Sequence, residues 1–110
     1  MITLHVYLTP KGGKHDELET AIRDSWIAAM SEQPGFLRAA ILTPFPDEEL
    51  DRLQAFKPKH TFEVVSLWRS ERERLQWVAR PVHDRVFVPI LELSEDVSFT
   101  VNNVTHGWNL

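Results

Sequence analysis

The strongest constraint on the fold is a change of period early in the chain. Ile2, Leu4, Val6 and Leu8 alternate with Thr3, His5, Tyr7 and Thr9, which fits a strand with two chemically different faces. Thr9-Pro10-Lys11-Gly12-Gly13 breaks that pattern, and apolar residues return four apart at Leu18, Ile22, Trp26 and Met30. This spacing predicts an amphipathic helix over 14–32. Its acidic start, Asp16, Glu17 and Glu19, suits the positive end of a helix dipole.

Pro34-Gly35 ends the helix, and Phe36 to Leu42 supplies a second strand. Residues 43–59 read as a long connection with its own small apolar patch. Pro44, Pro46 and Pro58 exclude a central strand there, while Asp47 is placed to cap a short helix bearing Leu50, Leu53 and Phe56. A third strand, Thr61 to Trp68, is rich in β-branched and aromatic residues. Ser70 and Glu73 then match a capping box that opens a second helix. Pro81 interrupts that helix but suits the first position of another, so a kinked pair is expected. Beyond the kink His83, Val86, Phe87 and Ile90 share one helical face. Ser94-Glu95-Asp96 is read as the end of this unit, and Val97 to Thr105 as a fourth strand.

The order strand, helix, strand, strand, helix, strand is the split βαβ, or ferredoxin-like, α+β arrangement: an antiparallel four-stranded sheet with its helices on one face. With 110 residues the chain makes a single domain over 1–110. Helices on one side leave the other side of the sheet to be covered. Ile2, Leu4, Val6 and Leu8 are assigned to that open side, and a homodimer through the sheet faces is expected. The formal net charge of −4 and the lack of any Lys/Arg block exclude tracking of a nucleic-acid backbone. No long uncharged run spans a membrane, and the N-terminal alternation is too short for a signal peptide, so a cytoplasmic protein is expected. There is no cysteine, no HExxH and no ligand-like pairing among the five histidines, so no metal site is expected.

Three features together resemble the antibiotic biosynthesis monooxygenase-like (ABM) domains of the dimeric α+β barrel superfamily. They are the alternating first strand followed by Pro10-Lys11-Gly12, the Pro34-Gly35-Phe36 turn, and the block VVSLWRSERERLQWVARPVHDRV. The resemblance covers nearly the whole chain apart from 43–59. It implies a dimeric α+β barrel and, for function, a cofactor-independent monooxygenase acting on a small aromatic or polyketide-like molecule. The superfamily also holds haem-degrading members. That branch implies an Asn on the first strand, a Trp on the second helix and a His ligand to iron, matched here by His5, Trp77 and His83. His5 stands in place of the Asn, and the interval from Trp77 to His83 is shorter than in that branch. Haem binding is therefore the alternative, beside a non-catalytic dimeric small-molecule binder.

His83 is the expected catalytic residue. An imidazole between helix and sheet needs a partner for one nitrogen, and burial favours its neutral form, which can abstract a phenolic or enolic proton. The competing reading is a structural histidine satisfied by backbone or by the neighbourhood of Asp84. His5 and Tyr7 share a strand face that the helices are expected to cover, which brings both near His83 to orient a substrate hydroxyl or stabilise an oxyanion; the competing reading is polar residues at the wetter end of the sheet. Trp26, Trp77 and Phe87 are the expected aromatic wall of a substrate pocket. Trp77 is singled out because it lies off the apolar stripe, and core packing is the competing role for each tryptophan. Glu63 is expected to pair with Arg38 across the sheet, and Arg69, Arg72 and Arg74 to form a solvated helix face.

Overall fold

The computed structural model describes residues 1–110. Its elements are strand β1 (Ile2–Pro10), helix α1 (His15–Ala21), a π-helical turn (Ile22–Trp26), α2 (Ile27–Met30), β2 (Phe36–Leu42), α3 (Asp47–Leu53), β3 (Phe62–Trp68), α4 (Glu71–Val78), α5 (Pro81–Leu93) and β4 (Ser94–Asn103). The four strands form one sheet in the order β2-β3-β1-β4, with every neighbouring pair antiparallel. This is the ferredoxin-like α+β fold expected from the order of elements, and within the single chain the sheet is open, not closed into a barrel.

The first helix solves a geometric problem set by its own sequence. Residues spaced strictly by four advance about 400° per step on an α-helix, so such a stripe drifts by about 40° each time. The π turn adds a residue midway and takes up the drift. All of Leu18, Ile22, Trp26 and Met30 are consequently buried on one side.

That stripe meets the apolar face of β1. Ile2, Val6 and Leu8 join Leu18, Ile22, Trp26, Phe62, Val64, Trp68 and Ile90 in one core. The expectation that the apolar side of β1 faces away from the helices is thus inverted. The helices carry apolar stripes of their own, and the central strands offer a single apolar face, so helix and sheet satisfy each other within the chain. The other face carries His5, Tyr7 and Thr3, set beside Val65, Glu63 and Leu67 of β3 and Thr100, Ser98 and Asn102 of β4.

The connections show how the sequence marks its boundaries. Gly35 adopts φ +86°, and a side chain there would meet the Cβ of Glu73 at 2.6 Å, so the turn after α2 accepts only glycine. The Gly35 carbonyl also accepts from the Arg69 N–H at 2.8 Å, tying this turn to the end of β3. Ser70 caps α4 by accepting from the Glu73 N–H at 3.2 Å, as the capping box predicts. Pro81 is the first residue of α5, so the kink falls at Ala79 and Arg80. Two boundaries differ from expectation. Ser94-Glu95-Asp96 opens β4 and does not close the helix, because Asp96 and Ser94 pair with Thr9 and Pro10. Pro46, not Asp47, is the capping position of α3, with Asp47 in the first turn.

Candidate active site

The apolar side of the sheet does not close completely against the helices. A cavity of about 350 Å³ remains between β1, β3 and β4 below and the helices above. Leu4, Val97 and Phe99 contribute from the sheet, Trp26 and Met30 from the first helical segment, Trp77 from α4, and His83, Phe87 and Leu91 from α5. The spacing explains the last three, since residues at i, i+4 and i+8 share a helical face. The walls are apolar apart from His83 and Arg74.

His83 is packed among aromatics. Its ring meets Trp77 edge-on with centroids 5.2 Å apart and stacks on Phe87 at 5.4 Å. Only 14% of its side chain is exposed. Nδ1 lies 3.3 Å from the carboxylate of Asp84, which is itself largely in water. A proton on Nδ1 donated to that carboxylate leaves the lone pair on Nε2, which has no partner within the protein. The ring is not locked onto main-chain atoms.

Trp26 packs against Phe87 with ring centroids 5.0 Å apart and is almost wholly buried. Its indole Nε1 is buried with no acceptor. An unmet buried donor costs about 1–3 kcal/mol. Trp68, also in the cavity wall, differs: its Nε1 donates to the Ser66 hydroxyl at 3.1 Å.

The structure therefore brings together His83, Trp77, Trp26 and Phe87, and it separates His5 and Tyr7 from them. These two lie across the sheet, because alternate residues of β1 point to opposite sides. His5 Nδ1 is 2.7 Å from a Glu63 carboxylate oxygen, His60 Nε2 is 3.8 Å from the other, and the Tyr7 ring sits 4.9 Å from that of His60. Glu63 thus pairs with histidines and not with Arg38, whose guanidinium donates to the Asn109 carbonyl at 3.1 Å. The connection 43–59 lies beside this second face, where Leu50, Phe56 and Pro58 stand near His60 and Glu63, and it does not line the His83 cavity.

Arg74 is the wall residue that the sequence reading misplaced. Its side chain is only 12% exposed, while that of Arg69 is 66% exposed and paired with Glu73. The signal was present, because Arg74 precedes Trp77 and Val78 by three and four residues and so shares their face. Glu71 accepts from Arg74 Nε at 3.0 Å and from Nη2 at 2.5 Å. These hydrogen bonds hold the Glu71 carboxyl below its ordinary range.

Known proteins agree with this fold. Residues 1–87 match the model of the family described as antibiotic biosynthesis monooxygenase. The structure of SnoaB, a cofactor-independent oxygenase from Streptomyces nogalater, superposes with a TM-score of 0.75 at 16% identity, over 99% of this chain and 97% of that one. A provisional antibiotic biosynthesis monooxygenase from Deinococcus radiodurans gives 0.76 at 15% identity, over 100% and 98%. A conserved protein from Methanosarcina mazei gives 0.74 at 12% identity, over 93% and 90%. No curated protein matches the chain. At these identities the structural likeness speaks to the fold.

Proposed function

The chain belongs to the antibiotic biosynthesis monooxygenase family, and from that premise we propose that it is an oxygenase working without a tightly bound cofactor on a small aromatic or polyketide-like molecule. The observation that carries this reading is the apolar cavity of about 350 Å³ that adjoins a nearly buried imidazole. Cavities of this size accept a compact ring system, and the aromatic walls from Trp77, Trp26 and Phe87 suit a flat one.

His83 is the base in this scheme. With Nδ1 directed to Asp84, Nε2 takes a phenolic or enolic proton from the substrate. The substrate becomes carbanion-like at an activated methylene and passes an electron to dioxygen. The methylene loses its two hydrogens and gains one oxygen atom as a carbonyl, and the second oxygen leaves with those hydrogens as water. No external reductant is required. The likeness to SnoaB, described as a cofactor-independent oxygenase, supports the same chemistry.

Oxygen consumption with hydroxyaromatic substrates tests the assignment. His83→Gln is expected to lower turnover by about 10²–10⁴-fold, the usual worth of a general base, while substrate still binds. Unchanged product formation under anaerobic conditions refutes the oxygenase reading. A Soret band on haemin titration that disappears in His83→Ala replaces it with the haem-binding one.

The same proposal includes a homodimer through the sheet. Its support now comes from the face bearing His5 and Tyr7, which lies away from the helix layer and sets Val65, Ala40 and the half-exposed Leu42 among polar groups.

A further inference from the structure

We propose that Arg74 anchors an ionised oxygen of the ligand, so that the cavity selects a flat aromatic carboxylate or acidic phenolate over its neutral analogue. This rests on the reading of the His83 cavity as the substrate site and adds to it the charge that the substrate must carry.

Donors and acceptors in the cavity are unequal. No carboxylate or carboxamide side chain lines it. Its polar residues are Arg74, whose guanidinium only donates, and His83. Donors with little access to water find partners in nearly all folded proteins, so a wall that holds a guanidinium and no carboxylate is completed by a ligand that brings an acceptor.

Arg74 is the donor with charge to spare. Glu71 occupies Nε and Nη2 and leaves Nη1 without an acceptor in the protein. The two partners also differ in surroundings: the Glu71 side chain is 41% exposed and that of Arg74 is 12% exposed. The negative member therefore sits toward water, where it is screened, and the positive member sits against apolar walls, where its attraction for a second anion is stronger. Glu71 is thus a positioning residue, which fixes the plane of the guanidinium and leaves its remaining edge for an incoming oxyanion.

Calorimetric titration with 2-naphthoate and with 2-naphthamide, equal in shape and different in charge, tests the proposal. The natural protein is expected to bind the carboxylate at least about tenfold more tightly, the scale of one charge-assisted hydrogen bond. Arg74→Gln is expected to bring the two affinities within about threefold of each other, and His83→Gln to leave the preference in place. A second measurement needs no variant: the Arg74 Nε–H resonance moves on addition of naphthoate and stays on addition of naphthamide. Equal affinities in the natural protein, or a preference that survives Arg74→Gln, overturn the role of Arg74. A preference abolished by His83→Gln assigns the anchor to the imidazole instead and also overturns it. Failure of both probes to bind refutes the cavity as a substrate site and removes the basis for both readings.

Discussion

On the helix side of the sheet Leu8, Phe62, Val64 and Trp68 are excluded from water, whereas on the opposite side His5, His60, Glu63 and Tyr7 partner one another and stay partly wet. Apart from His60, which precedes β3, both sets come from the same two central strands, one residue out of step. The difference shows in the two candidate histidines. His5 pairs closely with Glu63, Nδ1 to carboxylate oxygen 2.7 Å, on a polar face, while His83 lies 3.3 Å from a solvent-exposed Asp84 and adjoins an apolar cavity. A flat apolar substrate needs apolar walls beside the base, and those walls stand on the helix side.

The largest test of this contrast is a pair of neighbouring truncations. Leu8→Ala removes a fully buried side chain from the core and is expected to cost about 2–5 kcal/mol in urea unfolding. Tyr7→Ala removes a larger side chain whose hydroxyl makes one exposed contact with Thr100 at 3.3 Å, and is expected to cost less than about 1 kcal/mol. Equal losses would mean that the second face is as well packed as the first.

Much of this contrast could be read from the chain, though with the faces exchanged. The alternation in β1 separates Leu4, Val6 and Leu8 from His5 and Tyr7 without ambiguity. What it does not contain is which set meets the helices, because a strand pattern carries no information about its partner layer. The stripe of Leu18, Ile22, Trp26 and Met30 was the missing term, since it needs an apolar surface and β1 has only one. His83 and Phe87 could be placed on one face because helical spacing after the Pro81 break fixes where they stand, whereas Trp77, read as lying off the apolar stripe, is buried in the core and in the cavity wall. Arg74 was missed because its charge argued for solvent, although its spacing to Trp77 placed it in the wall. The π turn at Ile22–Trp26 left a trace in the spacing of exactly those four residues, but local sequence does not reveal how a helix absorbs drift.

A smaller effect is expected at the second face. If two copies meet there, Val65→Arg places a charge in the middle of the contact and weakens dimerisation by at least about tenfold, or about 1.4 kcal/mol. Sedimentation velocity reads the change directly. Probe binding in the His83 cavity should be unaltered, because the sheet separates the two regions. A chain that sediments as a monomer before substitution rejects the dimer.

The smallest effect lies at the start of α4, where two ion pairs differ in which member meets water: Arg74 lines the cavity and its partner Glu71 is 41% exposed, while Arg69 is 66% exposed and its partner Glu73 is 17% exposed. Hydrogen bonds from Arg69 and then from Ser70 lower the Glu73 carboxyl from its ordinary 4.5 to about 2. A carboxyl whose folded value is depressed contributes stability that is fully present above its ordinary value and lost as pH falls through the folded one. The urea midpoint of the natural protein should therefore decline between pH 4.5 and about 2, and Glu73→Gln should flatten that decline by lowering the midpoint at pH 7, the two proteins converging near pH 2. Added salt should weaken the difference, because the Arg69 member of the pair stands in water. Superimposed pH curves for the two proteins would show that this pair is irrelevant to stability. Glu71→Gln provides the contrast within the same helix: it should also alter the acid limb, since Arg74 lowers that carboxyl, but it alone should disturb ligand binding, because its partner faces the cavity.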